Sequence, residues 1–159
     1  MLFKKQLSRL LNLNLMREPF QSFTLRTIND PRFTMIPAEL KDYIDFEVKR
    51  VYFITHPLKD TGAHCHLKEQ EFFILVHGTC NAVIDRGNGR EELPMNAPSS
   101  AMYVANYVWH QFTNLSSDAI LLALSSTNYN PNRSDYIVDY DAYLKIRDTA
   151  LAGNLPSPS

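Results

Sequence analysis

Cysteine is scarce in this chain: Cys65 and Cys80 are the only two among 159 residues. Two thiols cannot staple a small disulfide scaffold, and their scarcity fits a reducing compartment, so a cytoplasmic location is expected. The sequons at Asn114 and Asn132 carry no meaning in such a compartment. Excess charge of either sign is also missing. Sixteen Lys and Arg balance seventeen Asp and Glu, for a net charge of -1. No basic stripe breaks that balance, which argues against nucleic acid as a partner. No apolar run reaches the ~18–20 residues of a membrane span, so stable insertion is not expected.

What is present is the material of a folded β domain. Hydrophobic residues make up 45% and charged residues 21%, a globular balance. Nine Phe, eight Tyr and one Trp suit a β-rich core, and the length suits one domain. "MLFKKQLSRLLNLNLM" opens the chain as an amphipathic extension over residues 1–19. It reads as a short helix packed on the domain or on a partner subunit. No small-residue cleavage site follows it, and three basic residues anchor only weakly to a membrane surface.

After Pro19 the pattern turns to strands. "QSFTLRT", Asp45–Ile54, "EFFILV", "CNAVID", "WHQFTN" and "AILLALSS" are short apolar or alternating runs, the last with both faces covered. "NDPRF" and "SSD" are turns, "DRGNGREE" is a hairpin turn, and "EFFILV" joins "CNAVID" at Gly78. "DYIVDYDAYLKIRD" is a final strand passing into a short helix. Many short strands separated by turn residues predict an antiparallel sandwich or barrel.

The chemistry concentrates between Thr61 and Gly78, "TGAHCHLKEQEFFILVHG". Side chains alternate along a strand, so His64 and His66 share one face and Cys65 takes the other. Glu71 follows at the start of the next apolar run, where a bend can bring its carboxylate to the imidazoles. His110 lies far along the chain, in "VWHQFTN".

This spacing resembles the double motif of the cupins, small jelly-roll β-barrels. His64, His66, Glu71 and Gly78 match the first motif, and His110 with Asn114 matches the second. A glycine usual in that first motif is Leu58 here, and the second motif's proline and glycine are Ala105 and Tyr107. Over Asp30 to Leu144 the chain further resembles the dTDP-4-keto-6-deoxyglucose 3,4-ketoisomerases. That likeness is carried by "DPRF", "VKRVYFI", "GAHCHLK", "GTCNAVIDRGNGREE", "YVWHQF" and "DYIVDYDAYL". The resemblance implies an all-β cupin domain over 20–148, with short helices at each end and a flexible tail over 149–159. It also implies a homodimer paired through N-terminal strands and a nucleotide-sugar substrate. The implied reaction needs no metal, with one histidine of the pair as base. Three positions depart from that family: Thr61 and Val138 replace arginines, and Glu71 replaces a glutamine.

The residues allow two mechanisms. Shifting a ketone to its neighbour carbon removes an α proton, forms an enediol and reprotonates next door. Histidine, with an ordinary pKa of ~6.5, suits the proton transfers, so His64 and His66 form the expected catalytic pair. Alternatively, His64, His66, Glu71 and His110 hold a divalent metal (Fe, Ni, Mn or Zn) that polarises the carbonyl. Arg32, Arg50 and Lys68 are candidate phosphate contacts, although a surface charge is the plainer account of each. Tyr103, Trp109 and Phe112 are core aromatics, one of which can stack on a base or sugar. His56 and His77 are structural or exposed, and Cys65 is core. The expected activity is 3,4-ketoisomerisation. The alternatives are a metal-dependent cupin oxygenase or epimerase on another small polar substrate, or a non-catalytic sugar-binding cupin.

Overall fold

The computed structural model describes residues 17–151. Residues 1–16, which hold most of the expected N-terminal helix, lie outside the described residues, as does the tail from residue 152; 17–19 carry no helix. The strands run β1 (Phe20–Thr24), β2 (Ile28–Asp30), β3 (Phe33–Met35), β4 (Arg50–Thr55), β5 (Thr61–His66), β6 (Glu71–His77) and β7 (Thr79–Asp85). They continue with β8 (Glu91–Asn96), β9 (Ser100–Val104), β10 (Trp109–Thr113), β11 (Ile120–Ser125) and β12 (Tyr136–Ile137). Helix α1 (Leu40–Tyr43) lies between β3 and β4, and α2 (Tyr140–Leu151) follows β12. Helix α2 thus continues past residue 148.

Two five-stranded sheets form the barrel, in the orders β1-β9-β6-β11-β4 and β12-β5-β10-β7-β8. Every pairing is antiparallel, and β2–β3 is a separate hairpin around Pro31-Arg32. The period of two decides what fills the space between the sheets. Phe73, Leu75, Met102, Val104, Leu121 and Ala123 point inward from the first sheet. Cys80, Ala82, Ile84, Met95 and Phe112 meet them from the second. Each large apolar side chain buried there contributes about 1.5–3 kcal/mol.

The intervening residues of the first sheet face out. Phe72, Ala101, Tyr103 and Leu124 pack beneath Leu25, Ile44, Phe46 and Val48. This is why the expected strand from Asp45 begins only at Arg50: residues 44–48 form an irregular cover on the sheet, with Phe46 stacked on Tyr103. On the outside of the second sheet, Cys65 and Trp109 are buried against Tyr143 of α2. Tyr143 Oη also donates to the Asp85 carbonyl at 2.7 Å, and Tyr140 Oη to Asp85 Oδ2 at 2.7 Å.

β6 and β7 are consecutive but belong to different sheets, so Gly78 is where the chain crosses between layers rather than a hairpin tip. Its φ is +78°, and a Cβ there would lie 2.8 Å from Ala119 Cα. A second irregularity positions the histidines. Ala63 adopts φ +58° beside Gly62 at +84°, while the β5–β10 register shifts between His110 and Gln111. This bulge sets His64 directly opposite His110.

Candidate active site

A cavity of about 630 Å³ opens between the sheets. His64 and His110 form part of its floor, with Tyr52, Phe73, Phe112 and Tyr136 as walls and Arg50, Tyr129 and Arg133 among its other lining groups. Beneath His64 lie His66 and Glu71, each 2% exposed. The expected same-face arrangement holds: His64 Nε2 and His66 Nε2 are 3.0 Å apart, while Cys65 is fully buried on the opposite face. β6 delivers Glu71 from the other sheet, and Glu71 Oε2 lies 3.4 Å from both His66 Nε2 and His110 Nε2. His64, His66, Glu71 and His110 therefore converge on one point, each offering one donor atom.

Glu71 Oε1 accepts a hydrogen bond from Tyr52 Oη at 2.6 Å, whereas Oε2 is buried with no hydrogen-bond donor among the described residues. His110 Nδ1 faces the Val108 carbonyl at 3.3 Å. On its far side, His66 Nδ1 lies 3.2 Å from Asp135 Oδ2 and 3.5 Å from Glu69 Oε2. Asp135 Oδ2 also accepts the Glu69 amide at 3.1 Å. Glu69 Oε1 pairs with Arg50 Nη2 at 2.5 Å and accepts from Ser125 Oγ.

These surroundings separate the two histidines electrically. Burial, reinforced by the neighbouring His110 and His66, pushes His64 down to about 3, so it stands neutral. Burial also disfavours charge on His66, but Glu71, Glu69 and Asp135 outweigh it and raise its proton affinity. Burial works against the Glu71 carboxylate too, yet His110 and His66 hold it below the usual carboxylate range. Glu69 is raised, by burial first and by the Glu71 charge second.

Of the candidate phosphate contacts, Arg50 alone lines the cavity. Arg32 sits on the β2–β3 turn, 79% exposed, bonded to Asp30 at 2.8 Å. Lys68 is exposed in the turn between β5 and β6, outside the lining. The structure also keeps Tyr103 and Trp109 from the cavity. Tyr103 faces out of the first sheet and donates to Asp45 at 3.2 Å, and Trp109 packs under α2. Phe112 does reach the wall. His56 is exposed, and His77 pairs with Asp118 at 3.1 Å. Burial pushes the Cys65 thiol up to about 12, so it stays protonated rather than redox-sensitive.

Tyr52, Glu69, Ser125, Tyr129, Arg133, Asp135 and Tyr136 are site residues that the sequence reading did not single out. For Glu69 a signal existed: it lies two before Glu71, beside the histidine pair. For Asp135 and Tyr136 only the strand-like "DYIV" hinted at a place in the sheet.

Comparison with known proteins agrees with this geometry. The family described as FdtA: WxcM-like, C-terminal, matches residues 19–148. A TDP-4-oxo-6-deoxy-alpha-D-glucose-3,4-oxoisomerase from Aneurinibacillus thermoaerophilus is 33% identical over 122 residues, 76% of this chain and 86% of that protein. A 3,4-ketoisomerase from Helicobacter canadensis shares the fold with TM-score 0.73 and 30% identity, over 83% of this chain and 99% of that one. A sugar 3,4-ketoisomerase from Thermoanaerobacterium thermosaccharolyticum, solved in complex with TDP, gives TM-score 0.74 and 28% identity, over 85% and 98%.

Proposed function

Because this chain belongs to the FdtA family (WxcM-like, C-terminal) and its cavity floor carries a paired imidazole site, we propose that it is a nucleotide-sugar 3,4-ketoisomerase. Its substrate is a TDP-linked 4-keto-6-deoxysugar, held with the hexose over His64 and the diphosphate toward the mouth. The observation that carries this reading is His64, open to the cavity and kept neutral by burial, 3.0 Å from a second imidazole whose proton affinity Glu71, Glu69 and Asp135 raise.

His64 takes the proton from carbon 3 of the sugar, and the C3–H electron pair becomes the C3–C4 double bond of an enediol. The same proton, or one exchanged through His66, is delivered to carbon 4. The hydroxyl proton passes from the oxygen on carbon 3 to the oxygen on carbon 4, so the ketone has moved and the atoms balance. An anionic diphosphate in the cavity raises the proton affinity of His64, offsetting part of what burial and its neighbours removed. Tyr136 packs on both rings, 4.6 Å from His64 and 4.4 Å from His66, and helps exclude water from the enediol.

The same four residues fit a divalent metal ion, and one observation favours it. Glu71 Oε2, buried with no hydrogen bond of its own among the described residues, faces Nε2 of both His66 and His110 at 3.4 Å, where a cation would draw all three together. The separations of 3.0 Å between the His64 and His66 nitrogens and of 3.4 Å from Glu71 to His66 and to His110 suit metal–ligand bonds of ~2.0–2.2 Å. His64, His66, Glu71 and His110 would hold the ion, which when bound supplies Lewis-acid polarisation of the ketone.

We also read the chain as a cytoplasmic homodimer. Both cysteines are free, and the outer face of the first sheet exposes Val51, Phe53 and Val76, an apolar patch suited to a second copy. Among the described residues no helix is long and apolar enough to cross a membrane. The relatives named above, all ketoisomerases or oxoisomerases, favour this reading over the oxygenase, epimerase and purely sugar-binding ones.

The test is turnover of TDP-4-keto-6-deoxyglucose in deuterated water, followed by NMR. The wild type should yield the 3-keto sugar, with deuterium at carbon 4 to the extent that His66 exchanges the transferred proton, and His64→Asn should abolish turnover while the protein still melts cooperatively. A wild type that neither binds TDP nor turns the sugar over refutes the reading.

A further inference from the structure

The family's two arginines are Thr61 and Val138 here. Thr61 lines the cavity as a short neutral wall, and Val138 is an exposed apolar residue. A dianionic diphosphate entering this cavity therefore meets neither. Two guanidinium groups do line it, Arg50 and Arg133. They are not equivalent. Arg50 is neutralised by the buried Glu69 carboxylate at 2.5 Å, so its charge is committed to the network under His66.

Arg133 has no carboxylate partner among the described residues. Its guanidinium lies 4.5 Å over the ring of Tyr136, the ring that packs on His64 and His66 with its own atoms. A single aromatic ring thus separates the free cation from the reacting imidazoles. This matches the layout of the substrate, in which one hexose separates the ketone from the diphosphate.

The backbone around Arg133 is built to hold it there. Its φ is +50°, a left-handed conformation that a bulky residue adopts at a cost. The turn is tied on every side. Asn130 accepts the Asn132 amide at 3.0 Å and donates to Ser134 Oγ at 2.8 Å. The Arg133 amide donates to the Asn130 carbonyl at 3.1 Å, and the Tyr136 amide to the Arg133 carbonyl at 3.0 Å. Glycine would fit this conformation without strain.

We infer that Arg133 is the diphosphate-gripping residue of this chain, so that the cation lost at positions 61 and 138 is supplied from the turn before β12. The inference rests on the nucleotide-sugar reading above. Guanidinium can meet phosphate oxygens through two parallel N–H donors, which makes it a binding group rather than a proton donor.

The test is calorimetric titration of TDP into the full chain and into Arg133→Gly and Arg133→Lys. Glycine keeps the left-handed turn and removes only the side chain, so folding is preserved. Arg133→Gly should bind TDP at least about tenfold more weakly, with a shallower salt dependence, and raise KM for the TDP-sugar far more than it lowers kcat. Arg133→Lys should recover part of the affinity. Equal TDP affinity and KM in wild type and Arg133→Gly overturn the assignment while leaving the nucleotide-sugar reading intact. A wild type that turns over the sugar yet shows no salt dependence of TDP binding also overturns it. A wild type that binds no TDP and turns nothing over sinks both readings.

Discussion

Replacing Glu71 with glutamine removes one negative charge from the centre of the site and little else. The amide has the same shape and can still accept from Tyr52. The charge it removes faces His66 Nε2 at 3.4 Å. Two unit charges at that separation attract by about 5 kcal/mol at an effective dielectric of ~20. Desolvation of both groups offsets much of this, and Glu69 and Asp135 still face His66, so a net loss of about 1–3 kcal/mol is expected near pH 6. The pH dependence discriminates more sharply than the size. His66 holds its proton more tightly folded than unfolded, so its stabilisation is full below the ordinary histidine range. It is lost as pH rises through the raised folded value. Glu71 is shifted the other way: its stabilisation is present above the ordinary carboxylate range and fails only in acid. Between about pH 6.5 and 9, where His64 is neutral folded and unfolded alike, His66 therefore governs; below that window the lowered His64 works the other way. Wild type should lose stability across that window, while Glu71→Gln should start lower and lose less. The gap should narrow or reverse at the alkaline end, where an unpaired buried carboxylate becomes a burden. Urea denaturation of metal-stripped protein at several pH values measures this directly. A gap that stays constant from about pH 6.5 to 9 would show that His66 is not the charged partner of Glu71, and the account of the site would be wrong.

Two further outcomes follow from the same structure. If the four convergent donors hold a metal, protein purified from supplemented medium carries close to one divalent ion per chain by elemental analysis, and Glu71→Gln and His110→Ala lose it. A metal-free wild type with full turnover shows instead that proton transfer by the imidazoles suffices. Gly78→Ala forces a Cβ against Ser116 and Ala119 at a left-handed φ and should cost more than ~2 kcal/mol in denaturant melts. An unchanged midpoint would mean that the crossing between sheets tolerates a different path.

The sequence made the inner part of the site legible because strand alternation is a strong local rule. It placed His64 with His66, set Cys65 opposite, and the cupin spacing added Glu71 and His110. The same rule applied once more would have removed Trp109: it adjoins His110 on β10, so the two must face opposite sides of the sheet. Tyr103 fails likewise, because Met102 and Val104 on either side of it fill the interior. The Asp135 carboxylate behind His66 was not legible, since it lies 69 residues away and reaches His66 only through the pairing of β12 with β5. Arg133 was hidden for another reason. Its importance lies in a charge with no partner, and only the assembled cavity shows which cations are already spent.

The origin of the four convergent donors has a consequence for how the protein comes into being. His64 and His66 come from β5 and His110 from β10 in one sheet, while Glu71 comes from β6 in the other. The ties that brace them join residues 56 and 69 positions apart. No emerging segment can rehearse this arrangement locally. A ribosome that has released β5 and β6 exposes His64, His66, Glu69 and Glu71 with nothing to organise them. Only when "DYI" has left the exit tunnel and the layers have closed does the chemistry exist. Contacts so distant in sequence form slowly. Activity should therefore be the last property acquired on refolding, lagging behind the recovery of β-sheet signal.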